Sequence, residues 1–394
     1  MTAIILDGHL QSALAAVRSL GQKGIKVVCG APRKTAMSLF SRYCGETFVY
    51  TPPGQNKEKF ILDLLDILKK LKEKAIIFSF SDETFLSVSE KREKIESYAE
   101  LILSSKESVD TAFNKEKTLC LAKENSIPIP ETHFVLSTEE LENLAPELSY
   151  PVIIKPRQSY VWQEGKGKLA STVYISSPEQ LKEEFKNLSA KMGEPPLVQQ
   201  LIQGEEFGIF ALLEHGRPLA LFAHRRIRSI SPLGGASCLR ESIKMPQEMK
   251  EYSLRLLKAL QWHGPAMVEF KVDDKDKLPK LMEINGRFWG SLPLAIYAGV
   301  DFPYLYYLMA ENKKVEPDFL YKENIKSRHL LADCKNLFSV LLDRGRIDGI
   351  KYPDKAETVA NFFKFFEKNL YYDVESLSDA KPFFMEVVNS LLRL

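Results

Sequence analysis

Two periods of apolar residues alternate along this chain, and they divide it into elements. Ala3–Leu6 is a short apolar run, Leu10, Ala13, Leu14, Val17 and Leu20 follow at helical spacing, and Ile25–Cys29 is a second apolar run. The pattern predicts strand, helix, strand. Phe60–Leu71 repeats the helical period and leads into a strand at Ala75–Phe80, after which Ser81-Asp82-Glu83 begins another helix. Open α/β sheets bind ligands at the carboxyl ends of their strands, so Asp82 is a candidate ligand contact, with helix capping as its other reading. A helix over Lys115–Asn125 stops at Ile127-Pro128-Ile129-Pro130, which excludes both continued helix and a central strand and marks a boundary between 110 and 130. Strand, helix, strand, helix then runs to about 190, and Pro195-Pro196 marks a second joint. Successive strands are predicted over 197–230, a helix over 247–260, a hairpin through Val268–Val272 and Met282–Asn285, and a helix over Tyr297–Met309. The tail, 330–394, has helical spacing rich in Phe and Leu and carries no chemical motif.

Composition narrows the class without naming a function. At 394 residues the chain is too long for one core and should hold two or three domains. Lys plus Arg number 54 against 52 Asp plus Glu, a net charge of +2 that gives no electrostatic footprint for nucleic acid or an anionic membrane. The five cysteines are scattered and form no CxxC pair, as expected of free thiols in a reducing compartment. The N-terminus lacks a basic leader and an A-x-A site, and no run approaches 18 apolar residues. A cytoplasmic protein without a membrane segment is the expectation. Aromatics in 360–372 suggest a pairing surface, with a homodimer as the arrangement it would serve.

The chemistry concentrates in the hairpin. If it is symmetric about Asp276, Glu269 lies opposite Glu283, and alternation puts Asn285 on the same face as Glu283. Paired carboxylates on a sheet repel by up to about 1 kcal/mol relative to neutral pairs, so a cation should sit there. Two carboxylates and an amide oxygen form a hard, all-oxygen set suited to Mg²⁺. Arg287, two residues on, stays positive and can grip a phosphoryl oxygen. The competing reading is a solvated hairpin face.

Weaker signals come from four other segments. Lys155 ends the apolar strand Pro151–Lys155, and the polar loop Arg157–Leu169, with Gly165 and Gly167, can fold over phosphates. Gln199–Phe207 reads as strand, Gly turn, strand, with an ordinary hairpin as the plain alternative. His224, Arg226 and Arg228 share one strand face, a stack of charge that suits a phosphate or carboxylate or else a solvated edge. The Gly234-Gly235 turn offers backbone amides for an oxyanion. No GxGxxG, HExxH, GxSxG or Walker lysine loop occurs, so dinucleotide, zinc-protease, serine-hydrolase and P-loop readings lack support.

In this order the segments resemble the ATP-grasp superfamily of carboxylate–amine ligases over residues 1–312. They resemble most the branch around the carbamoyl-phosphate synthase large chain and a group of predicted carboligases. The resemblance implies an α/β fold: a Rossmann-like pre-ATP-grasp domain at 1–112, a small α/β lid subdomain at 113–196, an antiparallel catalytic subdomain at 197–312, and a helical extension at 313–394. It also implies ATP and Mg²⁺ (Mn²⁺ being an acceptable substitute). Lys155, with Lys115 or Lys117, would contact phosphates, Gln199, Gln200 and Leu201 would line adenine, and Glu206 would bind ribose. Glu269, Glu283 and Asn285 would hold the metal, Arg287 would stabilise the transferred phosphoryl group, Arg226 would meet the phosphates, and Arg228 would be a catalytic residue in contact with the substrate. The loop Gln163-Glu164-Gly165-Lys166-Gly167 has fewer glycines than the family's phosphate lid. Asp82, Gly234 and Gly235 are the expected substrate contacts. The implied reaction activates a small carboxylate as an acyl phosphate, joins it to an amine and releases ADP. A non-catalytic ATP-binding subunit and a small-molecule kinase are the alternatives.

Overall fold

The computed structural model describes residues 1–163, 165–342 and 346–392. Its first layer is a parallel sheet of β1 (Thr2–Ile5), β2 (Val27–Ala31), β3 (Glu46–Val49), β4 (Ala75–Phe78) and β5 (Ala99–Glu100), in the order β3-β2-β1-β4-β5. Its central strands are buried throughout, as parallel strands covered on both faces require. The helix Gln11–Gln22 packs Ala13, Ala16, Val17 and Leu20 into the core beneath them.

A four-stranded sheet follows, in the order β10-β7-β11-β6, built from β6 (Thr132–His133), β7 (Val152–Lys155), β10 (Val173–Ile175) and β11 (Leu197–Gln200). Between β7 and β10 the chain makes a separate hairpin, β8 (Tyr160–Gln163) with β9 (Lys166–Leu169). Glu164 of the glycine loop lies outside the described residues. The helix Pro178–Met192 starts on a Ser177 cap, has Pro at its first position and ends on left-handed Gly193, all as its sequence favours.

The third layer is a seven-stranded sheet in the order β16-β15-β12-β13-β14-β17-β18. It comprises β12 (Gly204–Glu214), β13 (Arg217–Ser231), β14 (Gly234–Ser242), β15 (Gly264–Asp273), β16 (Pro279–Asn285), β17 (Lys326–Arg328) and β18 (Leu370–Tyr372). Phe210, Phe222, Phe288, Trp289 and Phe302 share one core with Ala3, Ile5 and Phe78, and the segment after β16 joins the two sheets, Phe288 against Phe78 and Trp289 against Phe210.

Four expectations change here. The joint is not at Pro195-Pro196, because β11 pairs with β6 and β7 of the small sheet and the crossing falls at Leu201-Ile202-Gln203. For the same reason Gln199–Phe207 is not a hairpin: its two strands belong to different sheets. The tail is not simply helical, since β17 extends the seven-stranded sheet and β18 pairs with it in parallel. Finally, the Tyr297–Met309 helix is two helices, Leu292–Ala298 and Phe302–Ala310. Gly299 at φ +106° ends the first and the Asp301 side chain caps the second, a break that Gly299, Asp301 and Pro303 signal within the apolar run. Among the described residues no helix is long and apolar enough to cross a membrane.

Candidate functional site

Asp273 begins the turn between β15 and β16 and accepts from the Lys280 Nζ at 2.7 Å, while Lys277 adopts φ +61°. Beyond the turn Val272 pairs with Pro279 and Phe270 with Leu281, a register that would set Glu269 against Met282. A one-residue bulge at Met282 shifts it, and Glu269 pairs with Glu283. The opposition expected from symmetry is therefore produced by the bulge. Asn285 Nδ2 donates to Glu269 Oε1 and Glu283 Oε1, both at 3.1 Å, and its Oδ1 accepts from Arg287 Nη2 at 3.2 Å.

Cations surround the pair. Lys115, at the first turn of the helix Lys115–Glu124, lies 3.8 Å from Glu283 and donates to Ser159 Oγ at 2.7 Å. Lys155 is buried at the end of β7, and burial lowers its ammonium to about 8, with Glu283 acting in the opposite sense. Arg226 on β13 reaches Glu206 at 2.5 Å and Glu269 at 3.6 Å, and Lys271 meets Glu206 at 2.8 Å. Burial raises the Glu206 carboxyl, but Arg226 and Lys271 outweigh it and hold it below its ordinary value.

These groups line one cavity of about 390 Å³, together with Leu201, Gly234 and Gly235. Five predicted residues stand differently. Gln199 is buried in the small sheet, donating to Thr132 Oγ1 at 2.8 Å, and neither it nor Gln200 lines the cavity. Arg228 turns away to a two-pronged pairing with Asp333, Nε at 2.8 Å and Nη2 at 2.7 Å, because a bulge at Ile227 breaks the alternation that would have kept it beside Arg226. Asp82 is neither a free substrate contact nor the helix cap. Ser81 caps, and Asp82 accepts from Arg287 Nε at 2.6 Å. Arg287 is thereby held by the first residue of the helix that follows β4, not left free above the site.

Sequence reading missed Gly208 and Lys271. Glu283, Glu269, Gly208 and His224 form one transverse row across four strands, and a Cβ on Gly208 would lie 2.9 Å from His224 Nε2. The glycine leaves room for the imidazole beside the carboxylates. Burial, then Arg226 and Arg240, keep that imidazole uncharged. Lys271 was accessible by alternation from Glu269.

Residues 193–329 match the model of the family described as "ATP-grasp in the biosynthetic pathway with Ter operon". The chain carries an ATP-grasp domain. It is 26% identical over 245 residues to the carbamoyl phosphate synthase large chain of Clostridium acetobutylicum, which covers 60% of this chain and 22% of that protein. The corresponding protein of Archaeoglobus fulgidus is 24% identical over 284 residues, 68% of this chain and 24% of its own. The chain thus spans about a quarter of the length of these relatives. Among solved structures, N5-carboxyaminoimidazole synthetase from Staphylococcus aureus superposes with a TM-score of 0.62 at 15% identity, covering 82% of this chain and 80% of that one. Biotin carboxylase from Campylobacter jejuni gives 0.62 at 17% identity, covering 82% and 74%. An L-amino acid ligase from Bacillus licheniformis gives 0.59 at 17%, covering 79% and 74%. These likenesses establish the ATP-grasp fold.

The ATP-grasp donors fit a hard divalent cation. Burial, then the charge of Glu283, pushes the Glu269 carboxyl up to about 7, against the pull of Arg226 and Arg287. The Asn285 amide NH₂ bridges both carboxylates, and turning that amide over would present its oxygen instead. Among the described residues no cluster of three or more His, Cys, Asp and Glu side chains forms a metal site, so a cation here would take its remaining ligands from phosphate and water. A pH dependence follows. The folded state holds the Glu269 proton up to about 7 while the unfolded chain releases it near 4.5, so metal-free stability falls as pH rises through that window. Thermal melts from pH 4.5 to 8 should show this decline, and Glu269→Gln should lessen it, leaving the share of Glu375, which burial also raises to about 7. An equal decline in the variant would remove Glu269 as its source.

Proposed function

We propose that this chain is an ATP- and Mg²⁺-dependent ligase that activates a small carboxylic acid as an acyl phosphate and joins it to an amine, releasing ADP and phosphate. The observation that carries this reading is the in-register Glu269–Glu283 pair, bridged by Asn285 and ringed by Lys115, Lys155, Arg226 and Arg287. Mg²⁺, when bound, would neutralise phosphate charge at the Glu269, Glu283 and Asn285 oxygens.

Each residue has a part that follows from its surroundings. Lys155, poorly hydrated and facing the carboxylates, gains most by meeting an anion. Lys115 can shift from Glu283 to a phosphoryl oxygen at little cost, since its ion pair spans 3.8 Å. Arg287, fixed by Asp82, offers charge without reorganising, as stabilisation of a transferring phosphoryl group demands. Glu206, flanked by Arg226 and Lys271 at the edge of the cavity, suits ribose hydroxyls. The enclosed volume suits a small acid beside the nucleotide phosphates. Small-molecule substrates, with no role for nucleic acid, agree with the near-balanced charge.

The test is a screen of small carboxylic acids with Mg·ATP and hydroxylamine, reading hydroxamate and ADP together. Hydroxamate with stoichiometric ADP is expected for at least one acid. ADP with a phosphorylated alcohol and no hydroxamate would make the chain a kinase, and nucleotide binding without ADP would make it a non-catalytic subunit.

A further inference from the structure

Beside the carboxylate site lies a second cleft of about 900 Å³, sharing Leu201, Glu206, Arg226 and Lys271 with the first. One wall is the crossing Leu201-Ile202-Gln203 and the start of β12. The tail also lines it, through Ile350, Lys351, Pro353, Glu357 and Thr358. These residues lie beyond 329, where the family match ends.

The tail is fastened at this wall by a two-ended contact. Gln203 Nε2 donates to the Gly349 carbonyl at 2.8 Å, and the Lys351 amide donates to Gln203 Oε1 at 3.0 Å. Both ends of one side-chain amide are therefore spent on tail backbone. Gln203 sits where the chain passes from the small sheet to the catalytic sheet. A Cβ on Gly349 would lie 3.2 Å from the Pro151 ring, so the same loop also rests on the small sheet's subdomain. Further back, Asp333 anchors the tail to Arg228.

We propose that Ile347–Thr358 is the outer wall of the nucleotide site, closing over the adenosine end of ATP while the cations around Glu269 and Glu283 take the triphosphate. This rests on the nucleotide reading of the first cavity. Tail docking and adenosine binding are then one event: the loop that walls the cleft is held by the residue at the crossing between the two sheets.

Inorganic tripolyphosphate separates the two ends, because it probes the cation cluster alone. Calorimetry with Mg·ATP and with Mg·tripolyphosphate should show that Gln203→Ala weakens ATP about tenfold, the worth of two exchanged hydrogen bonds, and leaves tripolyphosphate unchanged. Gln203→Glu, which keeps the acceptor for Lys351 and loses the donor to Gly349, should fall between. Wild-type protein gives a readout that needs no variant: Mg·ATP, but not Mg·tripolyphosphate, should slow tryptic cleavage after Lys351. Equal protection by the two ligands, or a Gln203→Ala variant that binds ATP as wild type does or loses both ligands equally, overturns the proposal. Wild-type protein that binds neither ligand would instead overturn the nucleotide reading itself.

Discussion

Glu283→Gln is expected to reduce ADP formation by roughly a thousandfold or more while leaving the fold at least as stable as the wild type. The loss follows from removing one of two carboxylates that would share a divalent cation, in a site where charge stabilisation does most of the work. The stability follows from the same geometry read the other way. Glu283 faces Glu269 across a strand pair, and above about pH 7, where both carboxylates are charged, a neutral side chain there relieves like-charge repulsion of up to about 1 kcal/mol. Glu283 is about one-third exposed, so the substitution leaves no buried cavity. Such an opposition between activity and stability is what a binding site, and not a structural ion pair, displays. Parallel measurements of ADP release and of melting without metal would check it. Wild-type turnover in the variant would detach the carboxylate pair from catalysis. A large drop in melting temperature would show that Glu283 serves the core.

The second large effect is structural. Asp373→Ala should destabilise the protein by about 3–5 kcal/mol, a substantial part of the roughly 5–15 kcal/mol that holds a typical domain. Asp373 and Arg240 are both fully buried and paired with each other, and Ser327 also donates to Asp373. Removing the carboxylate strands a guanidinium whose Nε already lacks a partner among the described residues. The exposed pair Lys182–Glu142 serves as control, where Glu142→Ala should change stability by about 0.5 kcal/mol or less. Urea midpoints for the two variants decide the matter. Equal midpoints would mean that β18 and the residues after it contribute little to the catalytic sheet.

The two effects also mark what the sequence could and could not disclose. The carboxylate pair was legible because both strands belong to one hairpin and alternation places side chains over a few residues. Its mechanism was not, since the turn sets a register one residue away from the symmetric one and the bulge at Met282 restores it. Strands β17 and β18 were invisible because three residues carry no usable period, and their partners lie far away in the chain. Arg228 looked like a free cation for the same reason: Asp333 is 105 residues distant and sits in a segment with no motif. Arg287 and Asp82, 205 residues apart, were each noticed without any sign that they meet. The aromatics of 360–372 divide as well. Phe362 is buried against the Arg328 guanidinium, while Phe363 and Phe366 are exposed and remain the surface on which a homodimer would be sought.

One contact bears on how the chain matures as it is synthesised. Arg18, on the first helix, donates through Nε to Asp379 at 2.9 Å and through Nη2 to the carbonyl of Val374 at 2.8 Å. Ser41 and the Arg42 amide also bind Asp379. Domains often fold from the N-terminus while the rest of the chain is still on the ribosome. Here the first layer must wait for residues 356 and 361 positions further along the chain before its half-buried Arg18 is satisfied. A chain stalled before Val374 would carry the seven-stranded sheet while Arg18, Ser41 and Arg42 still lacked these partners.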